Sequence, residues 1–394
     1  MSVPVHPTVS RRRVLRGFGA AGATVLVVGA GAGGYRVVDT AALRPGHGQA
    51  YDPWRHWDST PGPLGAVAAA VLAANPHNTQ PWLFEVGATT IDVGVDPGRH
   101  LGSVDPYRRE QHVGLGCALE NLVLGCRARG LEPRLTLLPD GPDAARVARV
   151  DLVPAPAQHD PRHDAVGTRH TNRGPYTDEP LDAAALAGLV DPTGLPGVEV
   201  VWVVEEGARA SLGGLMVDAA QAVVDDETQS RDGFAWFRGD DDAVQEHRDG
   251  LTLDAQGLGP LVLGVVKLLP ASSRSGGDAF WVKQTRDVHT ATATAYGVVV
   301  SAEPDDRATQ LRAGRLLQRT HLTATTRGIG LQHMNQVTER IDAERVAGRA
   351  PTFGPRLAAL LPPGARPLVA FRVGWPERAA RPSPRRPVGA VART

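Results

Sequence analysis

The feature of this sequence that most constrains its fold is an internal repeat. Shifting residues 103–131 by 198 positions places them without gaps on residues 301–329. The matched pairs include Ser103 with Ser301, Pro106 with Pro304, Arg109 with Arg307, Gly116 with Gly314, Leu119 with Leu317 and Gly130 with Gly328. One interpretation is a chance likeness between two glycine-ended helices. The other, which we prefer, is that two related halves of one chain pair as the subunits of a dimer would.

The repeat also predicts how the chain is divided. We assign residues 51–153 to the first half and 165–376 to the second, with the proline- and histidine-rich stretch 154–164 as a linker. Residues 225–277 have an irregular sequence and are predicted to be a lid-like insertion in the second half. An insertion of this length within a compact domain is typical of a lid over a binding site. Residues 377–394 form a basic, proline-rich tail.

Each copy of the repeat predicts a long helix, over residues 108–129 and 307–327. The first helix is apolar on nearly all faces from Val113 to Cys126, so it should be buried on most sides. The second helix is more polar. A helix that is buried on most sides usually lies at the centre of a domain or of a dimer interface, so we expect the two helices to pack together.

A polar loop in the first half is a candidate binding element. Residues 75–82 read Asn-Pro-His-Asn-Thr-Gln-Pro-Trp, and they precede two short strand-like runs at residues 83–86 and 90–95. The amides of Asn78 and Gln80 can both donate and accept hydrogen bonds along a flat heteroaromatic edge. The structural alternative is simply the end of a helix followed by the start of a strand.

An arginine motif opens the second half. Arg169, Thr171 and Arg173 occupy alternate positions in the stretch 168–173. Two guanidinium forks around a hydroxyl can hold a phosphate through charge-assisted hydrogen bonds. Arginines of this kind can also be merely solvated at the surface.

Composition disfavours several classes of function. The formal net charge is zero, so there is no basic field to attract nucleic acid. Cys117 and Cys126 lie about 13 Å apart along one predicted helix, which excludes a disulfide between them. Their spacing also does not match the C-x-x-C pattern of zinc or redox sites. His159, His163 and His170 lie in or beside a proline-broken stretch, so we favour a solvated linker over a metal site.

The N-terminal residues 1–50 have the pattern of an export signal followed by a linker. Arg11 and Arg12 precede the moderately apolar run 17–32, which resembles a twin-arginine signal for proteins exported in the folded state. The segment could be cleaved or kept as a membrane anchor, and the protein would be cytoplasmic without it. Residues 29–34 also match G-x-G-x-x-G, but Asp39 follows far too soon for a dinucleotide-binding fold, which therefore remains only a minor alternative.

Together, these motifs resemble the nitroreductase superfamily, and most closely its Acg-like branch of FMN-binding proteins. Some members of that branch also begin with twin-arginine signals. The resemblance covers nearly the whole chain. It is carried by residues 75–82, by 105–109 leading into 114–117, by 169–173, by 328–330 and by 385–387.

The resemblance implies an α+β nitroreductase-like fold with two related halves forming an intramolecular pseudo-dimer, and it implies FMN as the cofactor. Arg169, Thr171 and Arg173 would hold the phosphate and the ribityl chain, with threonine replacing the family's serine. Arg385 would reinforce the phosphate contact. Because the first half lacks this arginine motif, one chain should bind one FMN as a monomer.

The remaining site residues implied by the resemblance would contact the flavin ring or lie close to it. Asn78 and Gln80 would meet polar groups of the isoalloxazine or ribityl chain, and Gly328 and Gly330 would bring backbone close to the ring. No catalytic side chain is assigned, because the chemistry belongs to the flavin. The expected activity is two-electron transfer to a small electron-poor acceptor of the nitroaromatic or quinone type. The alternative is a protein that holds FMN under a closed lid without turnover.

Overall fold

The structure is a computed structural model, and it describes residues 44–394. The twin arginines Arg11 and Arg12 and the glycine-rich run 29–34 lie outside the described residues. The predictions made for that segment therefore stay predictions.

Helices form much of the described chain, and many begin at capping residues: Asp160, Asp182, Glu205, Asp226, Asp240, Ser273 and Asp306 each accept a hydrogen bond from a backbone N–H of the first turn. The α-helices are α1 (Asp52–His56), α2 (Gly62–Ala70), α3 (Arg109–Ala128), α4 (Pro161–Asp164), α5 (Ala183–Ala187), α6 (Glu206–Asp225), α7 (Glu227–Phe234), α8 (Asp241–His247), α9 (Pro260–Leu268), α10 (Arg274–Gln284), α11 (Arg307–Thr326), α12 (Gln336–Val346) and α13 (Phe353–Ala358). A π-helical turn, Thr285–Thr290, follows α10.

The strands are β1 (Trp82–Val86), β2 (Thr90–Val95), β3 (Leu131–Leu137), β4 (Arg146–Pro154), β5 (Glu199–Val203), β6 (Phe237–Arg238), β7 (Leu251–Thr252), β8 (Ala295–Ser301), β9 (Gly330–His333), β10 (Arg366–Gly374) and β11 (Ala392–Arg393). They form a five-stranded sheet in the order β11-β1-β2-β4-β3, a four-stranded sheet in the order β5-β8-β10-β9, and the short pair β6-β7. Strand β8 is buried along its whole length, so this part of its sheet is covered on both faces. The predicted α+β class is confirmed.

The centre of the molecule is the crossing of α3 and α11. A Cβ atom built on Gly116 would lie 2.1 Å from the carbonyl oxygen of Leu311, and one built on Gly314 would lie 2.0 Å from that of Val113. Glycine at these two positions therefore lets the two backbones touch. The thiol of Cys117 donates to the carbonyl of Gly314 at 3.2 Å.

Polar side chains on the two helices bind one another, which explains how the more polar α11 can be buried. Gln318 donates to Asn121 at 2.8 Å, and a ring nitrogen of His112 lies 2.9 Å from Gln310 Oε1. Glu120 binds Arg319. Buried polar groups of this kind are tolerated because each has a partner. The close crossing is thus observed, whereas the organisation of the two halves as pseudo-subunits stays a prediction.

The insertion at residues 225–277 has regular secondary structure although its sequence is irregular, and its role as a lid stays a prediction. It contains the helices α7, α8 and α9 and the parallel strand pair β6-β7. The local signals are visible in retrospect, because Asp226 and Asp240 cap α7 and α8 and Pro260 begins α9. Short helices of this size give too little periodicity to be recognised without their caps.

The tail at residues 377–394 packs against the body. Trp54 donates to the carbonyl of Ser383 at 2.7 Å, and the backbone N–H of Arg385 donates to Ala50 at 2.7 Å. The side chain of Arg385 is buried, and β11 then adds a parallel edge strand to β1. The proline-rich tail, residues 377–394, is therefore a strap that packs across the first half.

Residues 44–394 contain neither a candidate membrane span nor a candidate metal cluster. Within them, no helix combines the length and apolarity needed to cross a membrane. The same residues contain no group of three or more histidine, cysteine or carboxylate side chains placed to hold a metal ion. Cys117 and Cys126 are both free and buried, and burial raises the pKa of each thiol to about 12.

Candidate active site

A cavity of about 250 Å³ lies where the two helices of the repeat, the 75–82 loop and the insertion meet. This is far more than the 10–15 Å³ that one water molecule needs, so it is a ligand-sized space. Lining residues from the first half are Asn75, Pro76, His77, Glu110, Gly114 and Cys117. Lining residues from the second half include Thr171, Arg173, His289, Gln332, His333 and Glu339.

The 75–82 loop is held in an unusual backbone conformation. His77, Asn78 and Gln80 have positive φ angles of 43°, 57° and 53°. Non-glycine residues in this left-handed region are strained, and such strain is concentrated at functional sites. The side-chain oxygen of Asn75 accepts from the backbone N–H of Gln80 at 2.7 Å and so stabilises the turn. The result is that Asn75, Pro76 and His77 face the cavity.

Asn78 and Gln80 are not on the cavity wall. The Asn78 amide donates to the carbonyls of Gly250 and Pro384, and its oxygen accepts from Arg385 at 2.6 Å. The Gln80 amide nitrogen donates to the Arg248 carbonyl at 2.8 Å, and its oxygen accepts from the backbone N–H of Arg386. Both side chains thus join the loop to the insertion and the tail. Their contact with a flavin stays a prediction.

Thr171 and Arg173 do reach the cavity. The Arg173 guanidinium donates to the carbonyl of Ala255 at 3.1 Å, and no carboxylate among the described residues stabilises its charge. Burial without such a partner lowers the pKa of Arg173 to about 10. An uncompensated buried cation is costly unless an anion binds beside it.

Arg169 and Arg385 form a second layer behind the wall. Both donate to the carbonyl of Leu72 just after α2, at 2.9 Å and 3.4 Å, where the helix end favours positive charge. The ring of Trp54 lies 5.9 Å from the Arg169 guanidinium and 4.7 Å from that of Arg385. Burial lowers the pKa of both groups, and each Nε atom is buried without a hydrogen-bond partner. The structure thus brings Arg169 and Arg385 together, separately from Thr171 and Arg173.

Three histidines on the cavity wall were missed by the sequence reasoning. Burial and the nearby Arg173 charge lower the pKa of His77 to about 4 and hold that of His289 well below its usual range. The pKa of His333 falls to about 3 because the ring is buried and both Arg169 and Arg173 act on it. All three are therefore neutral near pH 7. His77 Nδ1 and His333 Nε2 have no partner within the described chain and can bind a ligand.

Gly328 and Gly330 do not line the cavity. Gly328 has a φ of 73° and ends α11, which is a common use of glycine. A Cβ atom on Gly330 would lie 2.9 Å from the ring of Tyr176, so this glycine makes room for that tyrosine. The same strand instead presents Gln332 and His333 to the cavity. The contact of the two glycines with a flavin ring stays a prediction.

Aromatic side chains cover part of the cavity. Phe234 and Phe237 of the insertion lie on the wall with their rings stacked, 5.9 Å apart and 16° from parallel. Phe280 and Trp281 of α10 line it as well. Trp236 points elsewhere and donates to the carbonyl of His100 at 3.3 Å. The insertion therefore supplies an apolar cover suited to a flat ring system.

Comparison with known proteins identifies the relatives of this chain. No family model matches it. Over 329 residues, 82% of this chain and 87% of the relative, it is 29% identical to a protein of Mycobacterium tuberculosis H37Rv whose name places it among the NAD(P)H nitroreductases. It is 25% identical over 338 residues to the Acg protein of the same strain, covering 83% of this chain and 93% of Acg. The chain is thus similar to the Acg-like branch of the nitroreductase superfamily.

Solved nitroreductases are also similar to this Acg-like chain. A nitroreductase with bound FMN from Desulfitobacterium hafniense DCB-2 is 13% identical, with a TM-score of 0.34, over 58% of this chain and 95% of that one. The NADPH:FMN oxidoreductase of Vibrio harveyi in complex with NAD+ is 12% identical, with a TM-score of 0.32, over 60% of this chain and 77% of that one.

Proposed function

We propose that this Acg-like protein binds one FMN in the described cavity and acts as an oxidoreductase that passes two electrons to a small electron-poor acceptor of the nitroaromatic or quinone type. The observation that carries the proposal is the pairing of an uncompensated cation, Arg173, with an aromatic cover on one cavity. FMN has the complementary parts, a phosphate dianion and a flat ring. The names of the relatives support the same class of reaction.

The side chains present fit this cofactor. Arg173 and Thr171 would hold the phosphate through charge-assisted and hydroxyl hydrogen bonds, with Arg169 and Arg385 adding positive potential from behind the wall. The unpartnered Nδ1 of His77 would offer a further hydrogen bond to a polar ligand atom. Bound FMN supplies the hydride and electron chemistry, and the apolar cover keeps water from the ring.

A protein that sequesters FMN without turnover is the second candidate. The observation in its favour is the way the cover is fastened, since Asn78 binds Gly250 of the insertion, and Pro384 and Arg385 of the tail, at the same time. Reduction of the bound flavin by NADPH and its reoxidation by a quinone or nitroaromatic separates the two functions. An oxidoreductase completes both steps, and a sequestering protein completes neither.

We expect one chain to bind one FMN as a monomer. The cavity takes residues from both halves, such as His77 from the first and Arg173 from the second, so a second chain is not needed to complete it. The visible spectrum of the purified protein should show bound flavin, and light scattering with flavin quantification should give about one FMN per monomer. Two flavins per chain, or flavin bound only in an obligate dimer, would contradict this division of the site.

We also propose that the protein is exported through the twin-arginine route. Replacing Arg11 and Arg12 together by lysine keeps the charge but removes the pair that the export machinery recognises. The variant should stay in the cytoplasmic fraction while the wild type leaves it. Identical fractionation of the two proteins would contradict the signal and its anchoring role.

A further inference from the structure

Two buried carboxyl groups on the cavity wall are left without a role by the proposed function. Glu110 lies in the first turn of α3 and is 4% exposed, and Glu339 lies on α12 and is 6% exposed. Both line the cavity. The two carboxyls are close enough to act on each other, and the side chain of Asn335 lies beside Glu110. The amide oxygen of Asn335 accepts from the backbone N–H of Ala370 at 3.1 Å, which fixes the position of that side chain.

The charges around the pair cannot keep both carboxyls ionised. Asp105 is buried beside them and accepts from the backbone N–H of Glu110 at 3.2 Å. The guanidinium of Arg109 lies 2.8 Å from Asp342 but 3.9 Å from Glu110, so it stabilises the Asp342 carboxylate more than that of Glu110. Two like charges in contact at low dielectric share a proton instead. Burial and the neighbouring carboxylates raise the pKa of Glu110 to about 7 and that of Glu339 well above its usual range.

Unpartnered atoms indicate that the pair faces a ligand. Glu110 Oε1 is buried and has no hydrogen-bond partner within the described chain. Thr285 Oγ1, on the same cavity wall, is fully buried and equally unpartnered. Leaving such buried groups unsatisfied is costly, so they are best explained by polar ligand atoms that bind to them in the cavity.

We propose that Glu110 and Glu339 act together as the proton donor to an acceptor that is reduced in this cavity. This inference rests on the proposed function. A quinone-type acceptor takes a hydride from the reduced flavin cofactor and needs one proton to become the hydroquinone. The O–H bond of the pair breaks, its electrons stay on the carboxylate, and a new O–H bond forms on the acceptor oxygen. The carboxylate then regains its proton from solvent.

Three glutamine variants test the donor. Glu339→Gln and Glu110→Gln each keep the shape of the side chain but remove the shared acidic proton. Glu344→Gln is the matched control, because Glu344 lies on the same helix α12 and is also 6% exposed but is not on the cavity wall. Its carboxylate accepts from the backbone N–H groups of Thr352 and Phe353 instead.

The first readout needs no cofactor. In the flavin-free protein near pH 7, the infrared spectrum should show the C=O band of a protonated carboxylic acid, which Glu339→Gln and Glu110→Gln lose and Glu344→Gln keeps. Stability gives the same information. A raised carboxyl pKa makes the folded state bind its proton more tightly than the unfolded state, so this stabilisation is complete below the unfolded pKa and is lost as pH rises to about 7. The loss should disappear in the two cavity variants.

The second readout is chemical. With FMN bound, reoxidation of the reduced protein by 1,4-benzoquinone should slow about 100-fold in Glu339→Gln, the range expected on loss of a general acid. The wild-type rate should fall as pH rises above about 7, and that dependence should be lost in the variant. Glu344→Gln should match the wild type in both rate and pH profile.

Several outcomes would overturn the inference. A wild-type rate and pH profile in both cavity variants, with FMN bound, would show that the pair does not donate the proton. Absence of the carboxylic acid band would show that no proton is stored there. Failure of the wild type to bind FMN would overturn the proposed function and the donor role with it, and it is distinguished by flavin content.

Discussion

Replacing Arg169 and Arg173 together by alanine is expected to weaken FMN binding at least tenfold. The Arg173 guanidinium can contribute a charge-assisted contact worth about 1.5–3 kcal/mol, and the buried Arg169 adds positive potential from behind the wall. Flavin content after purification and titration of the flavin-free protein with FMN measure the effect. Unchanged flavin content in the double variant would end the assignment of the phosphate site.

The different positions of Arg169 and Arg173 in the structure predict different effects for the two single variants. Arg173 lines the cavity, so Arg173→Ala should account for most of the loss. Arg169 donates to the Leu72 carbonyl behind the wall, so Arg169→Ala should act more on local packing than on FMN. Arg209→Ala is a suitable control, because Arg209 likewise donates to one backbone carbonyl, that of Thr294 at 2.8 Å, but is not on the cavity wall. Its variant should bind FMN as the wild type does.

Replacing Gly116 by alanine is expected to destabilise the protein strongly. The added Cβ would lie 2.1 Å from the Leu311 carbonyl oxygen, a backbone atom that cannot move aside without separating α3 from α11. Overpacking of this kind costs about 1–3 kcal/mol, and because the obstacle is backbone we expect the upper end of that range. The free energy of unfolding from urea denaturation measures it.

Gly214 provides the control for this change. It lies within α6, and a Cβ built there meets nothing within 4 Å. Gly214→Ala should therefore be neutral or stabilise by up to about 1 kcal/mol through helix propensity. If Gly116→Ala and Gly214→Ala unfold at the same urea concentration, the close crossing of α3 and α11 does not constrain the fold.

The long elements of the fold could be predicted from the sequence. The helix expected over 108–129 is Arg109–Ala128, and the strands expected over 83–86 and 90–95 are Trp82–Val86 and Thr90–Val95. These elements are set by local periodicity and by turns, which a sequence displays directly. The helices of the insertion were missed because they are short, and their capping residues are the only strong local signal.

The elements of the candidate site were also predictable, but the directions of its side chains were not. The positive φ angles of the 75–82 loop turn Asn78 and Gln80 away from the cavity and turn His77 toward it. Partners far along the chain then fix that arrangement, since Asn78 binds Pro384 and Arg385 of the tail. The Glu110 and Glu339 pair likewise forms only when α3 and α12 pack, and no local pattern in either helix announces it.

The strap formed by the tail has a consequence for synthesis on the ribosome. The Asn78 amide cannot bind the Pro384 carbonyl until 306 more residues have been synthesised, and β1 cannot pair with its edge strand β11 until the chain is nearly finished. At about 5–20 residues per second, the loop and the sheet edge stay uncovered for roughly 15–60 s. During that interval the nascent first half exposes an unpaired strand edge, which is a template for aggregation. Chaperone protection of the nascent chain should therefore matter more for this protein than its final stability suggests.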